Sequence, residues 1–172
     1  MRTLSTAVSA LAIGLLGSSA ARADRHQCQA VVKESIVTMY SPDGCSSPVG
    51  ICTTGKVGPG PLEGTSQFTA LTLRQHGPDL LYSGELVITT KSGVVTLRDS
   101  GVLNTMTGFF FEIEHVVGGT GAYKEARGVL TSQGFANGMI GFTGTLTGRI
   151  CTSRVAGNSR VAVTFDDEDS DE

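Results

Sequence analysis

The chain has 172 residues, of which 40% are hydrophobic, and a formal net charge of −3. This length suits one domain with a sizeable core, and the charge balance excludes the basic surface that nucleic-acid binding needs. Six of the 16 acidic residues lie at positions 166–172, so the rest of the chain is close to neutral.

Residues 1–23 are typical of a secretory signal peptide. Arg2 gives a basic start, residues 4–20 are small and apolar, and residues 21–23 form the A-x-A site that signal peptidase cleaves. A membrane anchor is the alternative, but the apolar run holds many Ser and Gly residues and is weakly hydrophobic for a span of about 20 residues. We therefore expect a secreted or periplasmic protein that has no membrane association after cleavage.

Residues 24–154 are predicted to form one β domain, followed by an acidic tail, 155–172, that we expect to be disordered. No segment keeps helical periodicity for three turns, and turn signals such as Asn137-Gly138 separate short alternating runs. The predicted strands are 31–40, 51–57, 65–75, 80–90, 94–103, 108–117, 126–133 and 139–150. Glycines inside several strands favour a sharply bent sheet, and hence an eight-stranded antiparallel up-and-down barrel rather than a sandwich.

The four cysteines all follow the expected leader, which favours two disulfides in an exported protein. No C-x-x-C pair is present, so we expect no metal site. In an up-and-down barrel the first and last strands are neighbours, so we expect Cys28 to pair with Cys151 and Cys45 with Cys52. The sequence leaves the other two pairings open, and a Cys52–Cys151 disulfide is the first alternative to test.

One turn of the chain resembles a known family. Residues 116–128, VVGGTGAYKEARG, are similar to the V-x-G-G-[ST]-G-x-[FY]-x-x-A-x-G turn of the allene oxide cyclase barrel and of plant dirigent proteins. Residues 141–148, GFTGTLTG, resemble the closing strand of such barrels. Short matches to small exported microbial members of this superfamily are 52–55, 64–65 and 150–151. The resemblance extends over about residues 31–151, most of the predicted domain.

The glycines of this turn, Gly118, Gly119 and Gly121, are interpreted as structural, because glycine allows positive φ where a chain reverses tightly. A dinucleotide-binding loop would instead need G-x-G-x-x-G at the start of a helix, whereas a strand is predicted to follow here.

The resemblance implies an eight-stranded barrel with an apolar lumen, assembled as a homodimer or homotrimer. In relatives the lumen steers a reactive intermediate, through cyclisation of an allene oxide or stereoselective radical coupling. An enzyme of this type would be an isomerase or cyclase acting on a small apolar or phenolic molecule, and no cofactor is expected. The plant cyclase's catalytic residues do not align with this chain beyond the turn, and the full dirigent set of acids and arginines is absent.

Polar residues that alternate with apolar ones are the candidate site residues. Glu34 shares a strand face with Ile36, and Asp99 shares one with Leu97. A carboxylate in an apolar lumen has a raised pKa and is a candidate catalytic acid or base, although an arginine across the sheet could equally hold it. Tyr82 is a candidate ligand-binding phenol, with an ordinary core tyrosine as the alternative.

The strand with three successive phenylalanines supplies the remaining candidates. Phe109, Phe111 and His115 share one face, which we expect to point into the lumen, with Glu112 and Glu114 in solvent. Phe109 and Phe111 are then ligand-binding candidates, and His115 at the rim is a candidate general base. A plain surface histidine is the alternative.

Three functions remain open: a barrel that binds a small apolar molecule and guides its cyclisation or isomerisation, a non-catalytic secreted binding protein, and a structural protein with a filled lumen. Whether the protein is an enzyme is undecided at this stage. Because a small eight-stranded barrel holds either side chains or one small ligand, the cavity separates these functions. A cavity that contains Glu34, Asp99 or His115 favours the first, which is the function that the resemblance implies.

Overall fold

The computed structural model describes residues 26–138 and 140–153. The expected signal peptide and acidic tail lie outside these described residues. Eight antiparallel strands close into a barrel in which each strand pairs with its neighbours along the chain and the first pairs with the last. The eight-stranded up-and-down barrel predicted from the sequence is confirmed.

Each predicted strand overlaps one observed strand. The strands are β1 (His26–Tyr40), β2 (Cys52–Val57), β3 (Gly64–His76), β4 (Asp79–Thr90), β5 (Gly93–Asn104), β6 (Phe109–Gly119), β7 (Arg127–Ala136) and β8 (Gly141–Ser153). A short 3₁₀ helix, Gly121–Tyr123, connects β6 to β7. None of the described residues belongs to a helix that is long and apolar enough to cross a membrane.

Two disulfides fix the chain near opposite ends of the barrel. Cys28 and Cys151 lie opposite each other in the register of β1 and β8, so their disulfide closes the seam of the barrel. Cys45 and Cys52 close the loop between β1 and β2. Both pairings are the expected ones, and none of the described cysteines is free.

A β-bulge in β1 places Glu34 inside the barrel. The register of β1 with β8 shifts between Val31 and Glu34, and Lys33 within the bulge has a φ of 49°. Val31 and Glu34 are both buried, whereas Val32 between them is 72% exposed. The inward position expected for Glu34 is therefore observed, and it depends on the bulge as well as on the alternation that Glu34 shares with Ile36.

One end of the lumen, which we call the closed end, is filled. The loop of residues 58–63, between β2 and β3, folds across it and buries Leu62 completely. The Tyr123 hydroxyl donates to the Pro61 carbonyl at 3.2 Å and ties this loop to the 3₁₀ helix. The core around Leu62 consists mainly of aliphatic side chains from every strand except β3, such as Ile88, Leu97, Leu130 and Leu146.

The glycine-rich turn after β6 packs against the start of β5. Gly118 and Gly121 have φ values of 135° and 58°, in the region that favours glycine. A Cβ atom at Gly119 would collide with the Val94 carbonyl, while the Val94 amide donates to the Thr120 hydroxyl at 3.1 Å. This geometry agrees with a structural interpretation of the three glycines.

Candidate functional site

The other end of the lumen, which we call the open end, contains a cavity of about 70 Å³. Its walls are mainly apolar, with aliphatic side chains from β1, β3, β4 and β5 and the edge of the disulfide-bonded loop at Ile51. Five aromatic rings border it, those of Tyr40, Phe68, Tyr82, Phe110 and Phe142. The lumen is therefore divided into a packed half and a half with room for a ligand.

A hydrogen-bonded carboxyl group lies at the floor of this cavity. The Tyr82 hydroxyl donates to Glu112 Oε1 at 2.7 Å, and the Ser132 hydroxyl donates to Glu112 Oε2. Ser132 lies opposite Glu112 in the register of β6 and β7. Gly101 lies opposite Glu112 on β5, and a Cβ atom there would collide with both Glu112 and the Tyr82 ring. The glycine therefore gives the phenol room to reach the carboxyl group.

Two further carboxyl groups adjoin this network without partners of their own. Asp99 lines the cavity, and Glu114 lies directly opposite it on the neighbouring strand. Asp99 is 3% exposed and Glu114 is fully buried. No described protein group forms a hydrogen bond with Asp99 Oδ1 or with either carboxyl oxygen of Glu114. The single hydroxyl proton of Ser132 is donated to Glu112.

Burial and mutual repulsion keep these acids protonated. Desolvation, reinforced by the neighbouring Glu114, Glu112 and Glu85, raises the pKa of Asp99 to about 10. Desolvation and the charge of Glu112 raise the pKa of Glu114 to about 8. Near neutral pH, Asp99 and Glu114 are therefore mainly neutral carboxylic acids.

The pKa values of Glu112 and Tyr82 depend on the hydrogen bond between them as well as on burial. Burial raises the pKa of Glu112, but the hydrogen bonds from Ser132 and Tyr82 act in the opposite direction. Burial, together with the charge of Glu112, raises the pKa of Tyr82 well above its ordinary value, so the phenol stays a donor. Glu112 is thus the acid of this cluster whose ionised form is best stabilised by hydrogen bonds.

The structure separates the three sequence-predicted catalytic residues. Asp99 lines the cavity, as does the predicted ligand-binding residue Tyr82. Glu34 lies at the closed end, where both of its carboxyl oxygens accept from the Leu62 amide at 3.0 and 3.2 Å. Burial raises the pKa of Glu34, although the hydrogen bond from Leu62 opposes this effect. Glu34 therefore holds loop 58–63 in place and does not reach the cavity.

The predicted orientation of β6 is wrong. His115 is exposed, and Phe109 and Ile113 are 40% and 42% exposed on the outer surface. Phe111 is half-buried and does not line the cavity. The outward Phe109 ring packs edge to face on Phe135, with 5.7 Å between ring centroids. The ligand-binding interpretation of Phe109 and Phe111 and the rim position of His115 are therefore corrected.

The residues that face inward from β6 are Phe110, Glu112 and Glu114, two of which had been expected in solvent. That expectation followed from the cost of burying carboxyl groups without partners. Opposite residues of an antiparallel pair lie on the same face, so an inward Asp99 also requires an inward Glu114. The sequence contained this signal, but its use required the register of β5 and β6, which shifts at a bulge between Thr96 and Leu97.

Among the described residues, no group of three or more His, Cys, Asp or Glu side chains is arranged to hold a metal ion. Comparison of the chain with protein-family models, with curated proteins and with solved structures gave no match. The geometry of the site is consequently the main ground for a functional conclusion.

Proposed function

We propose that this protein is an exported, allene oxide cyclase-like or dirigent-like barrel that binds a small apolar molecule in its lumen and guides the cyclisation or isomerisation of that molecule. The observation that carries the proposal is the position of Asp99, a buried carboxyl group with an unpartnered oxygen, in the wall of an apolar cavity. The similarity of residues 116–128 to the turn of those barrels supports it. The A-x-A site and the two disulfides support export.

The chemistry follows from the protonation states of the floor. Isomerisation and cyclisation redistribute bonds within one molecule and need no second substrate. Asp99 can exchange a proton with the bound molecule, because its raised pKa keeps that proton available near neutral pH. Glu112, held by Tyr82 and Ser132, can stabilise positive charge that develops on the molecule. The apolar wall keeps water away from the reacting atoms.

Binding is tested by native mass spectrometry of the protein purified from its own host. We expect a bound small molecule on the wild type. Ala70 is buried and lines the cavity, so Ala70→Leu fills it, whereas Ala30→Leu makes the same change at an exposed position of β1. The Ala70→Leu variant should lose the molecule and Ala30→Leu should keep it. Equal occupancy of the two variants, or no bound molecule on any of them, contradicts the proposal.

Catalysis is tested by the identity of the bound molecule. Isomerisation conserves mass, so Asp99→Asn should carry a molecule of the same mass as the wild type but with a different retention on a chiral column. Asn preserves the shape of the side chain and removes its exchangeable acid proton. Identical retention in both proteins would mean that the barrel binds its ligand without converting it.

A further inference from the structure

We propose that the natural ligand of this cavity is a hydrophobic amine, whose ammonium group lies against Asp99 and Glu112 and whose apolar body lies among the aromatic rings. This inference rests on the proposed function, because it names the class of molecule that the lumen binds. The unpartnered, buried carboxyl group that lines the cavity is the observation from which it starts.

The ionisable side chains around the floor are all acidic. Asp99 comes from β5, Glu112 and Glu114 come from β6, and Tyr82 of β4 adds only a phenol. Glu85, on the outer part of β4, adds further negative potential at Asp99. Of the described residues that line the cavity, none is Lys, Arg or His. Ionisation of any of these acids repels an anionic ligand, whereas a cationic ligand stabilises the ionised form.

The hydrogen-bond inventory also lacks donors. The two hydroxyl donors of the floor, Tyr82 and Ser132, are both used by Glu112. Asp99 Oδ1 and both Glu114 oxygens have no hydrogen-bond partner among the described residues, and in their ionised form these carboxyl groups can only accept. A buried polar atom without a partner destabilises the folded state. An ammonium group carries three donors and no acceptor, which is the complement of this floor.

The aromatic lining adds a second attraction for positive charge. Tyr40 and Phe110 each pack edge to face on Phe142, with ring centroids 5.6 and 5.5 Å apart, and Phe68 packs in the same way on Tyr82 at 6.3 Å. The π face of an aromatic ring attracts a cation, and carboxyl groups together with such rings favour an organic ammonium ion. A metal ion does not fit, because the described acids are not arranged to ligate one.

The size of the cavity suits a small organic cation. Its volume of about 70 Å³ exceeds several-fold the roughly 10–15 Å³ that a single water needs. Apolar atoms dominate the walls, so the uncharged part of the ligand can be a short aliphatic or aromatic group. The carboxyl floor then binds the nitrogen.

Binding should also move a proton. Near neutral pH Asp99 is protonated before binding, and an ammonium group favours its ionised form. The complex therefore forms with release of a proton from the carboxyl cluster to the buffer, and the amine keeps its own proton. A neutral ligand gives no such release.

The experiment is calorimetry with three probes that share one apolar body: 2-phenylethylamine, 2-phenylethanol and 3-phenylpropionate. We expect the amine to bind at least about tenfold more tightly than the alcohol, since a charge-assisted hydrogen bond is about twice as strong as a neutral one. The carboxylate should bind most weakly. Titrations at pH 7 in buffers of different ionisation enthalpy should show proton release with the amine alone. The same three head groups on an n-hexyl body test whether the order depends on the phenyl ring.

Two variants test whether the amine binds at the carboxyl groups of the cavity floor. Asp99→Asn should lower the affinity for the amine about tenfold and abolish proton release, while its affinity for the alcohol stays unchanged. Asp43→Asn removes the same charge from the exposed loop between β1 and β2 and is the matched control. Equal or tighter binding of the alcohol overturns the amine assignment and leaves the proposed function intact. Failure of all three probes to bind, with no molecule on the host protein, overturns both.

Discussion

The two ends of the lumen each bury carboxyl groups, and they treat them differently. At the closed end, Glu34 accepts from the Leu62 amide and lies against the backbone of Gly60. At the open end, Asp99 and Glu114 are as deeply buried but have carboxyl oxygens without a described partner. The partnered acid fixes a loop, whereas the unpartnered acids lie beside a cavity.

The presence or absence of a hydrogen-bond partner distinguishes a buried acid that stabilises the fold from one whose burial needs another explanation. Most buried polar atoms in proteins have a hydrogen-bond partner, so each exception needs an explanation. Glu34 needs no ligand to explain its position. Asp99 is stable in its position only as a neutral acid or with a ligand, which is why we place the proposed site at the open end. Four predictions would break or sharpen this comparison.

The largest expected effect concerns the two disulfides, one near each end. Cys28 and Cys151 are 123 residues apart in sequence and Cys45 and Cys52 are 7 apart. On the chain-entropy model, the double Ser variant of the first pair should lose about 5 kcal/mol of unfolding free energy and that of the second about 2–3 kcal/mol. Urea unfolding measures both, and a larger loss from the Cys45–Cys52 pair would contradict this order.

The second prediction compares one leucine from each end. Leu62→Ala removes a fully buried side chain of the closed end and should cost about 2–5 kcal/mol of unfolding free energy. Leu103→Ala removes a half-buried side chain beside an existing cavity and should cost roughly 1–2 kcal/mol. Chemical denaturation of the two variants is the measurement. Similar losses would mean that the open end is packed as tightly as the closed end.

The third prediction concerns the pH dependence of stability between pH 6 and 9. The pKa values of Asp99 and Glu114, about 10 and about 8, lie above the ordinary carboxyl range. The folded state therefore holds more protons than the unfolded state in this window, and its unfolding free energy falls as the pH rises. We expect a fall of several kcal/mol in the wild type, because each proton retained only in the folded state changes the unfolding free energy by about 1.4 kcal/mol per pH unit, and a flatter profile in Asp99→Asn/Glu114→Gln.

Glu34→Gln is the matched control for this pH profile. Glu34 lies at the closed end, where it accepts from Leu62, so its replacement leaves the acids of the open end unaltered. This variant should therefore keep the wild-type slope above pH 6. A wild-type profile that stays flat from pH 6 to 9 would show that the acids of the open end are not held neutral by burial. A slope that disappears in Glu34→Gln instead would assign the titration to the closed end.

The sequence predicts the fold better than it predicts the site. Strand positions follow from local alternation and turn residues, and the barrel follows from glycines inside the strands. The Cys28–Cys151 pairing was then expected from the barrel, so all of these could be derived from the chain. Asp99 and Tyr82 were predicted on the apolar faces that line the cavity. These features depend on periodicity within one strand, which the sequence displays directly.

The remainder of the site depends on relations between strands. Whether Glu112 or His115 faces the lumen depends on a register that a one-residue shift reverses, and the bulge in β5 and β6 is invisible in the sequence. Glu34 was correctly expected inside, but its partner Leu62 comes from a loop whose path alternation does not predict. The cost of burying two glutamates favoured the wrong face of β6, since an unpartnered acid is common only where a site requires it.

The last prediction, with the smallest expected effect, tests which face of β6 carries the site. His115→Ala changes an exposed side chain with no described hydrogen bond, so the unfolding free energy should change by less than about 0.5 kcal/mol. Glu112→Gln, three residues earlier on the same strand, weakens the acceptor that Tyr82 and Ser132 share. Native mass spectrometry and chiral chromatography should therefore give the wild-type ligand for His115→Ala and a changed amount or isomer for Glu112→Gln. The reverse result would place the chemistry on the outer surface of β6, and the neutral acids of the lumen would then be only a destabilising feature of the fold.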